Sequence, residues 1–330
     1  MKIITNENNP TPTNEAKSNK QLFKLNQEII LFLVLIGLII FFSVMSTSFF
    51  TTGNFINITR QVAMLGIIAA GMAMVLLIGG IDLSVASNVA LTSVSMGMLI
   101  AAGVNPFIAI LIGISIGVLV GLINGLIITK VGIPALITTL GMLTIVRGVT
   151  FVITDGYPVF GFPESIRWFG TGFVMGIPVP VIMMVLVFIL VYILLYKTYI
   201  GRHIYALGGN EEAAHLSGIN TNKIQLMVYM MSGFFCSIAG LILLGRLNSG
   251  QPNALQGFEL DVVTAVVLGG VSIFGGQGKL IGVILGVLIM GVLSNGLVIL
   301  NVGEFYQMVI VGSVLIIAVG ADRIFNKKKK

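Results

Sequence analysis

Charge is what this sequence has least of. Asp, Glu, Lys and Arg make up 9% of its 330 residues, where an ordinary globular chain carries about a quarter; 56% are hydrophobic and the mean hydropathy is +1.06. Such a balance excludes a large soluble domain and makes the chain an integral membrane protein. Cysteine is reduced to Cys236, alone inside an apolar segment, which rules out an internal disulfide and a cysteine-based metal cluster; it reads as a small packed hydrophobe. His203 and His215 stand in a polar stretch without metal-ligand spacing, so no metal site is expected and neither receives a catalytic role. The phosphate-cradling loop is missing too: GGQGKL at 275–280 has Ile273 where the first Gly of Gly-x-x-x-x-Gly-Lys-Ser/Thr belongs and Leu280 in place of the hydroxyl, which in that motif binds Mg²⁺. It reads as a tight turn. No catalytic residue, cofactor or nucleic-acid partner is expected, and any energy from ATP must come through another polypeptide.

Glycine, in contrast, is abundant at 41 residues. Small residues let helices approach closely where lipid supplies no hydrophobic drive between them, which predicts a compact all-α bundle. Apolar runs long enough to cross about 30 Å of hydrocarbon lie near 29–47, 61–79, 85–103, 107–129, 134–153, 176–196, 225–246, 280–300 and 305–320. A tenth run, 262–274, is short and is read either as a short span or as a re-entrant hairpin. Charge decides, because Lys and Arg near span ends stay on the cytoplasmic side. Both ends of the chain are basic, with Lys2, Lys17, Lys20 and Lys24 at one and Arg323 and Lys327 to Lys330 at the other. An even number of crossings follows, so the short run crosses and the count is about ten, with both termini cytosolic. Every lysine then falls inside, and Asp155, Glu164, Glu259, Asp261 and Glu304 fall outside. The polar stretch 1–28 reads as a disordered cytosolic tail with no cleaved signal peptide, 29–321 as the membrane domain and 322–330 as a basic cytosolic tail.

Asn-Gly-Leu-Ile-Ile-Thr-Lys-Val-Gly at 124–132 ends the fourth run, and Asn-Gly-Leu-Val-Ile-Leu-Asn-Val-Gly at 295–303 ends the ninth. Runs five apart cross in opposite directions, so this match predicts an inverted repeat of about five helices, an arrangement that places a transport path between the halves.

The most polar run in the middle of the chain is GGNEEAAHLSGIN at 208–220. Asn210 is an N-cap, Glu211 and Glu212 put negative charge on the first turn, and Gly218 is the C′ stop. About two turns of helix fit between, and Ala213, Ala214 and Leu216 leave a small apolar surface beside Ser217. The run resembles the cytoplasmic coupling loop of ABC importer permeases, and its form Gly-Gly-Asn-x-x-Ala-Ala-x-x-Ser-Gly-Ile is similar to that of the ribose and simple-sugar permease family. The resemblance continues in GGIDLSVAS at 79–87, GRHIYALGGN at 201–210 and TAVVLGGVSIFGGQGKLIG at 264–282, and covers about residues 29 to 321. It implies a type II ABC importer-like permease of the bacterial cytoplasmic membrane, working as a homodimer with a cytosolic ATPase and an extracytoplasmic solute-binding protein. The loop at 210–218 would dock on the ATPase, and the substrate would be a monosaccharide, ribose or a similar pentose first. A hexose, a nucleoside or a sugar-derived signal stays open, as does an ion-coupled secondary transporter.

Polar groups inside membrane spans are costly and mark function or structure. Asp82 lies at a glycine break between the second and third runs, with Ser84 placed to cap the next helix and Asn88 one turn on; Asp82 reads either as a cap or as part of the path or its gate. Arg147 in the fifth run reads as a structural or a pore-facing arginine. Asn124 and Asn295 read as interhelical hydrogen-bonding groups or as substrate contacts. These six are the candidates for the translocation path.

Overall fold

The computed structural model describes the backbone of residues 27–327 and side chains as far as residue 320. The tail expected at 1–28 lies outside the described residues but for its last two, as do the side chains of the basic tail expected at 322–330. Lipid offers no partner to an unpaired backbone group, so a chain this apolar must satisfy its amides within helices. In order, these are α1 (Gln27–Met45), α2 (Thr52–Leu77), α3 (Val85–Ala101), α4 (Pro106–Leu126, extended by a π-helical turn at Ile127–Val131) and α5 (Ala135–Thr154). Then come a short helix α6 (Glu164–Thr171) and a hairpin of two strands, β1 (Phe173–Val174) and β2 (Ile177–Pro178). The second half holds α7 (Val179–Lys197), α8 (Tyr199–Gly209), α9 (Glu211–Leu216), α10 (Thr221–Leu247), α11 (Phe258–Leu268), α12 (Leu280–Ile299) and α13 (Glu304–Lys327). Seven of the described helices, α1, α2, α4, α5, α7, α10 and α12, are long and apolar enough to span a bilayer on their own. With α3, α11 and α13, each of the ten expected crossings finds a helix.

α2 is sunk in the bundle, with every residue from Val62 to Leu77 buried. It packs against α7, α10, α11 and α12. α4 meets α10 through glycines spaced four apart, Gly117, Gly121 and Gly125; a Cβ on Gly121 would strike the Tyr229 carbonyl, and one on Gly117 the Gly233 carbonyl and the Ser237 hydroxyl. That register, 117 beside 233 and 121 beside 229, makes α4 and α10 antiparallel. Gly71 against Ser232 and Gly80 against Tyr229 make α2 and α10 antiparallel as well, so α4 runs with α2. Gly291 against Val62 and Asn295 bonded to Asn54 set α12 against α2. α4 and α12, the two helices that carry the repeated Asn-Gly-Leu motif, therefore point in opposite directions. Packing partners exchange in the same way: α3 touches α4 and α5 as α11 touches α12 and α13, and α10 packs on α4 and α3 as α2 packs on α12 and α11.

The bundle has two ends. At one, the Gly276 amide donates to Leu77 O (2.8 Å), the Glu28 carboxylate meets Lys279 Nζ (2.7 Å), and α9 follows directly on α8. At the other, Val159 and Gly250 form an isolated bridge beside α6 and the β1–β2 hairpin. The chain thus passes from the far end to the α9 end between residues 250 and 276, as a crossing must, but its construction differs from the sequence expectation. Residues 269–274 are turn, not span, and α11 at 11 residues is about 16 Å long, roughly half the hydrocarbon thickness. The part of the crossing nearer the far end is irregular chain at 248–257. Such backbone survives at membrane depth only where protein supplies its partners; Arg147 Nη1 does so, donating to Pro252 O and Ala254 O (both 2.8 Å). The mirror-related break at 78–84 leads into α3 in the same manner, and its Ile81 carbonyl accepts from Thr139 Oγ1 (3.0 Å). One helix, α5, thereby supports both irregular segments.

Candidate functional site

The break between α2 and α3 gathers a buried polar knot. α2 stops at Leu77, Gly79 turns the chain at φ 79°, and Gly80 lies so close to the Tyr229 hydroxyl that a Cβ there would push it aside. Asp82, 3% exposed, accepts at Oδ1 from the Ser84 amide (3.1 Å) and Ser84 Oγ (2.6 Å), and at Oδ2 from Ser232 Oγ (2.9 Å). Ser84 Oγ in turn accepts from Asn124 Nδ2 (2.9 Å). One turn along α3, Asn88 Nδ2 donates to Gly117 O (3.3 Å). The carboxylate has no cationic partner among the described residues and is held by hydrogen-bond donors alone, which is how a buried polar group in lipid is kept from being a net cost. The result ties α3, α4 and α10 to the break, with Thr139 adding α5.

Three of the six path candidates, Asp82, Ser84 and Asn124, are bonded together in this knot and Asn88 lies one turn beyond it; the other two lie elsewhere. Asn295 exchanges reciprocal amide bonds with Asn54 (3.0 Å each) near the start of α2. Arg147 serves the 252–254 carbonyls. Ser84 also departs from the capping role expected of it, since its side chain makes no cap bond to α3; the hydroxyl is shared between Asp82 and Asn124. Sequence reasoning missed Tyr229, Ser232 and Thr139. Tyr229 and Ser232 carried a legible signal, two hydroxyls three residues apart on one face of an apolar helix; Thr139 carried none.

At the α9 end, Asn210 Oδ1 accepts from the Ala213 amide (2.9 Å), and Gly218 turns the chain out at φ 84°. α9 is six residues long, shorter than the two turns expected. Its outward surface is also narrower: Ala214 is buried, because it faces the bundle, and Glu211 Oε1 is engaged by Gln225 Nε2 of α10 (2.8 Å). Glu212, Ala213 and Leu216 face out, the last 81% exposed, as does Ser217, whose hydroxyl bonds back to Ala213 O (2.8 Å).

Comparison with known proteins places this architecture. Residues 54–319 match the family described as branched-chain amino acid transport system / permease component. The chain is 47% identical to the ribose import permease protein RbsC of Bacillus subtilis over 88% of its own length and 91% of the relative's. It is 44% identical to RbsC of Escherichia coli K12 over 92% and 94%, and 39% identical to that organism's D-allose transport system permease protein AlsC over 90% and 91%. No solved structure matches it.

Proposed function

The chain belongs to this permease-component family, as the permease subunit of an ATP-binding cassette importer for a monosaccharide, and we propose that the sugar it passes is ribose. It is a multi-pass inner-membrane protein and not itself an enzyme; hydrolysis belongs to an ATPase subunit, and a substrate-binding protein delivers the sugar. The observation that carries ribose is the likeness to two ribose permeases over 88% and 92% of the chain. We place the α9 end in the cytosol, where Glu212, Ala213 and Leu216 seat in the ATPase, and the far end outside, where the binding protein docks on a pair of permease copies. The polar knot then sits between the docking helix and the outer mouth, where a rocking bundle must bend. An ion-coupled carrier finds no support in Asp82, whose two oxygens are both engaged by hydroxyl or amide donors.

The test is uptake by vesicles holding the permease with its own ATPase and binding protein. Labelled ribose should accumulate only with ATP inside the compartment of the ATPase, and unlabelled ribose should compete better than allose, arabinose or a nucleoside. Stronger competition by another sugar would reassign the substrate, and uptake on an ion gradient without the ATPase would overturn the class. Within that system, Ala213→Arg should abolish sugar-stimulated ATP hydrolysis without lowering the melting temperature, since Ala213 is exposed; normal coupling would remove α9 from the docking role. For orientation, Cys236 is replaced by Ser and single cysteines are set at Met175, 99% exposed in the far hairpin, and at Lys279. An impermeant thiol reagent added outside intact cells should label position 175 and leave 279 unmodified. The reverse pattern would turn the protein over in the membrane.

A further inference from the structure

GGQGKL at 275–280 is neither a nucleotide loop nor part of the docking helix or the polar knot. We propose that the 275–278 loop is a rigid connector that carries movement of α9 to the polar break, with α8, the loop and the end of α2 shifting as one block; this rests on the reading of α9 as the docking helix. α8 and α9 meet with no slack between them, because Asn210 both ends one and caps the other. Two residues before it, Gly208 packs so tightly that a Cβ would strike Leu77 O and the Gly276 amide nitrogen. Gly275 in turn faces Gly208 O and Gly79, three residues from Asp82. Backbone lies against backbone at each of these contacts, and no flexible side chain intervenes to absorb a displacement.

Hydrogen bonds close the block. Gly276 N donates to Leu77 O (2.8 Å), Tyr205 Oη of α8 to Gly278 O (2.9 Å), and Leu280 N to Tyr196 Oη of α7 (3.0 Å). The loop's shape requires glycine, with φ of 86°, 70° and 153° at Gly275, Gly276 and Gly278, values that L side chains rarely adopt. The same loop leads directly into α12 and, through Gly269 and Gly270, back to α11. A displacement of α9 therefore reaches the α2–α3 break through Leu77 and Gly79, and the near ends of α11 and α12 through the loop itself. Close-packed interiors transmit displacement instead of absorbing it, and chains of packed groups and hydrogen bonds carry coupling between separated sites.

The experiment measures sugar taken up per ATP hydrolysed in vesicles with the complete importer. Tyr205→Phe removes the bond to Gly278 without adding volume, and Gly208→Ala forces α8 away from Leu77 and Gly276. Both should still assemble with the ATPase and hydrolyse ATP, while uptake per ATP falls several-fold in the first and at least tenfold in the second. Lys279→Gln, which removes only the exposed pair with Glu28 on the same loop, should keep the wild-type ratio and so shows that the loss is specific to the block. Should Gly208→Ala fail to fold, Tyr205→Phe decides, with a detergent melting temperature within a few degrees of wild type as its control. An unchanged ratio in Tyr205→Phe, or an equal loss in Lys279→Gln, overturns the connector. Failure of the underlying reading is distinct from both, because Ala213→Arg would then couple normally.

Discussion

Replacing Asp82 with Ala should cut ribose uptake at least tenfold and lower the melting temperature of the permease, while Asp82→Asn should stay within a few-fold of wild type on both measures. The alanine variant strips an acceptor from the Ser232 hydroxyl and from the Ser84 amide. A buried donor left without a partner costs about 1–3 kcal/mol, reduced in a membrane because the separated helices also find partners. Asparagine keeps an oxygen for the Ser84 amide and hydroxyl and turns an amide toward Ser232, whose oxygen accepts it. The pair of variants separates two roles for the carboxylate. If Asp82→Asn loses transport as completely as Asp82→Ala while melting normally, the negative charge itself is used and the residue belongs to the path. If Asp82→Ala transports and melts as wild type does, the knot does not hold the break. Binding of sugar by the separate binding protein should be untouched in every case.

The other large effect is expected where α4 crosses α10. Gly121→Val should prevent accumulation of folded permease, because its first added carbon falls on the Tyr229 carbonyl oxygen and carbon, with Met230 Cα behind them. Backbone cannot swing aside as a side chain does, so the helices must separate along a contact that runs through Gly117 and Gly125. Overpacking in a well-packed core costs about 1–3 kcal/mol, sometimes more, and here it also pulls at Asn124, one turn from Gly121 and bonded to Ser84. Gly141→Ala and Gly148→Ala on α5 are the matched controls, since a Cβ at either meets nothing within 4 Å. Both should express and melt at or slightly above the wild-type temperature, as exchanging Gly for Ala in a compatible helix stabilises by about 0.4–1 kcal/mol. Equal behaviour of Gly121→Val and the α5 controls would show that α4 and α10 have room between them at this crossing.

Several features were legible before any coordinates because they depend on local chemistry. Hydropathy located most spans to within a few residues; the exceptions are α11, which ends at Leu268 where the run went on to 274, α13, which continues to Lys327, and α2, which begins at Thr52, well before the apolar run near 61. Its first turns are polar, Asn54 among them, yet helical because Thr51 caps them and Asn295 satisfies Asn54. The cap at Asn210 and the stop at Gly218 were readable for the same reason: one side chain and one φ angle set each. The repeated Asn-Gly-Leu motif pointed to inversion, although the two asparagines proved to serve unlike partners.

Composition and order of residues alone determined that this chain lives in a membrane, crosses it about ten times and carries a short capped helix in a polar loop, since lipid imposes those requirements segment by segment. Only the tertiary structure decided how the two irregular crossings are sustained and which polar groups share a site. Arg147 reaches carbonyls 105 and 107 residues away, Asp82 meets Ser232 at a separation of 150, and Asn54 meets Asn295 at 241. A backbone group freed from its helix inside the bilayer must be bonded by something, and which segment comes to it is set by how the helices pack, a matter of glycine contacts between distant stretches that hydropathy does not encode.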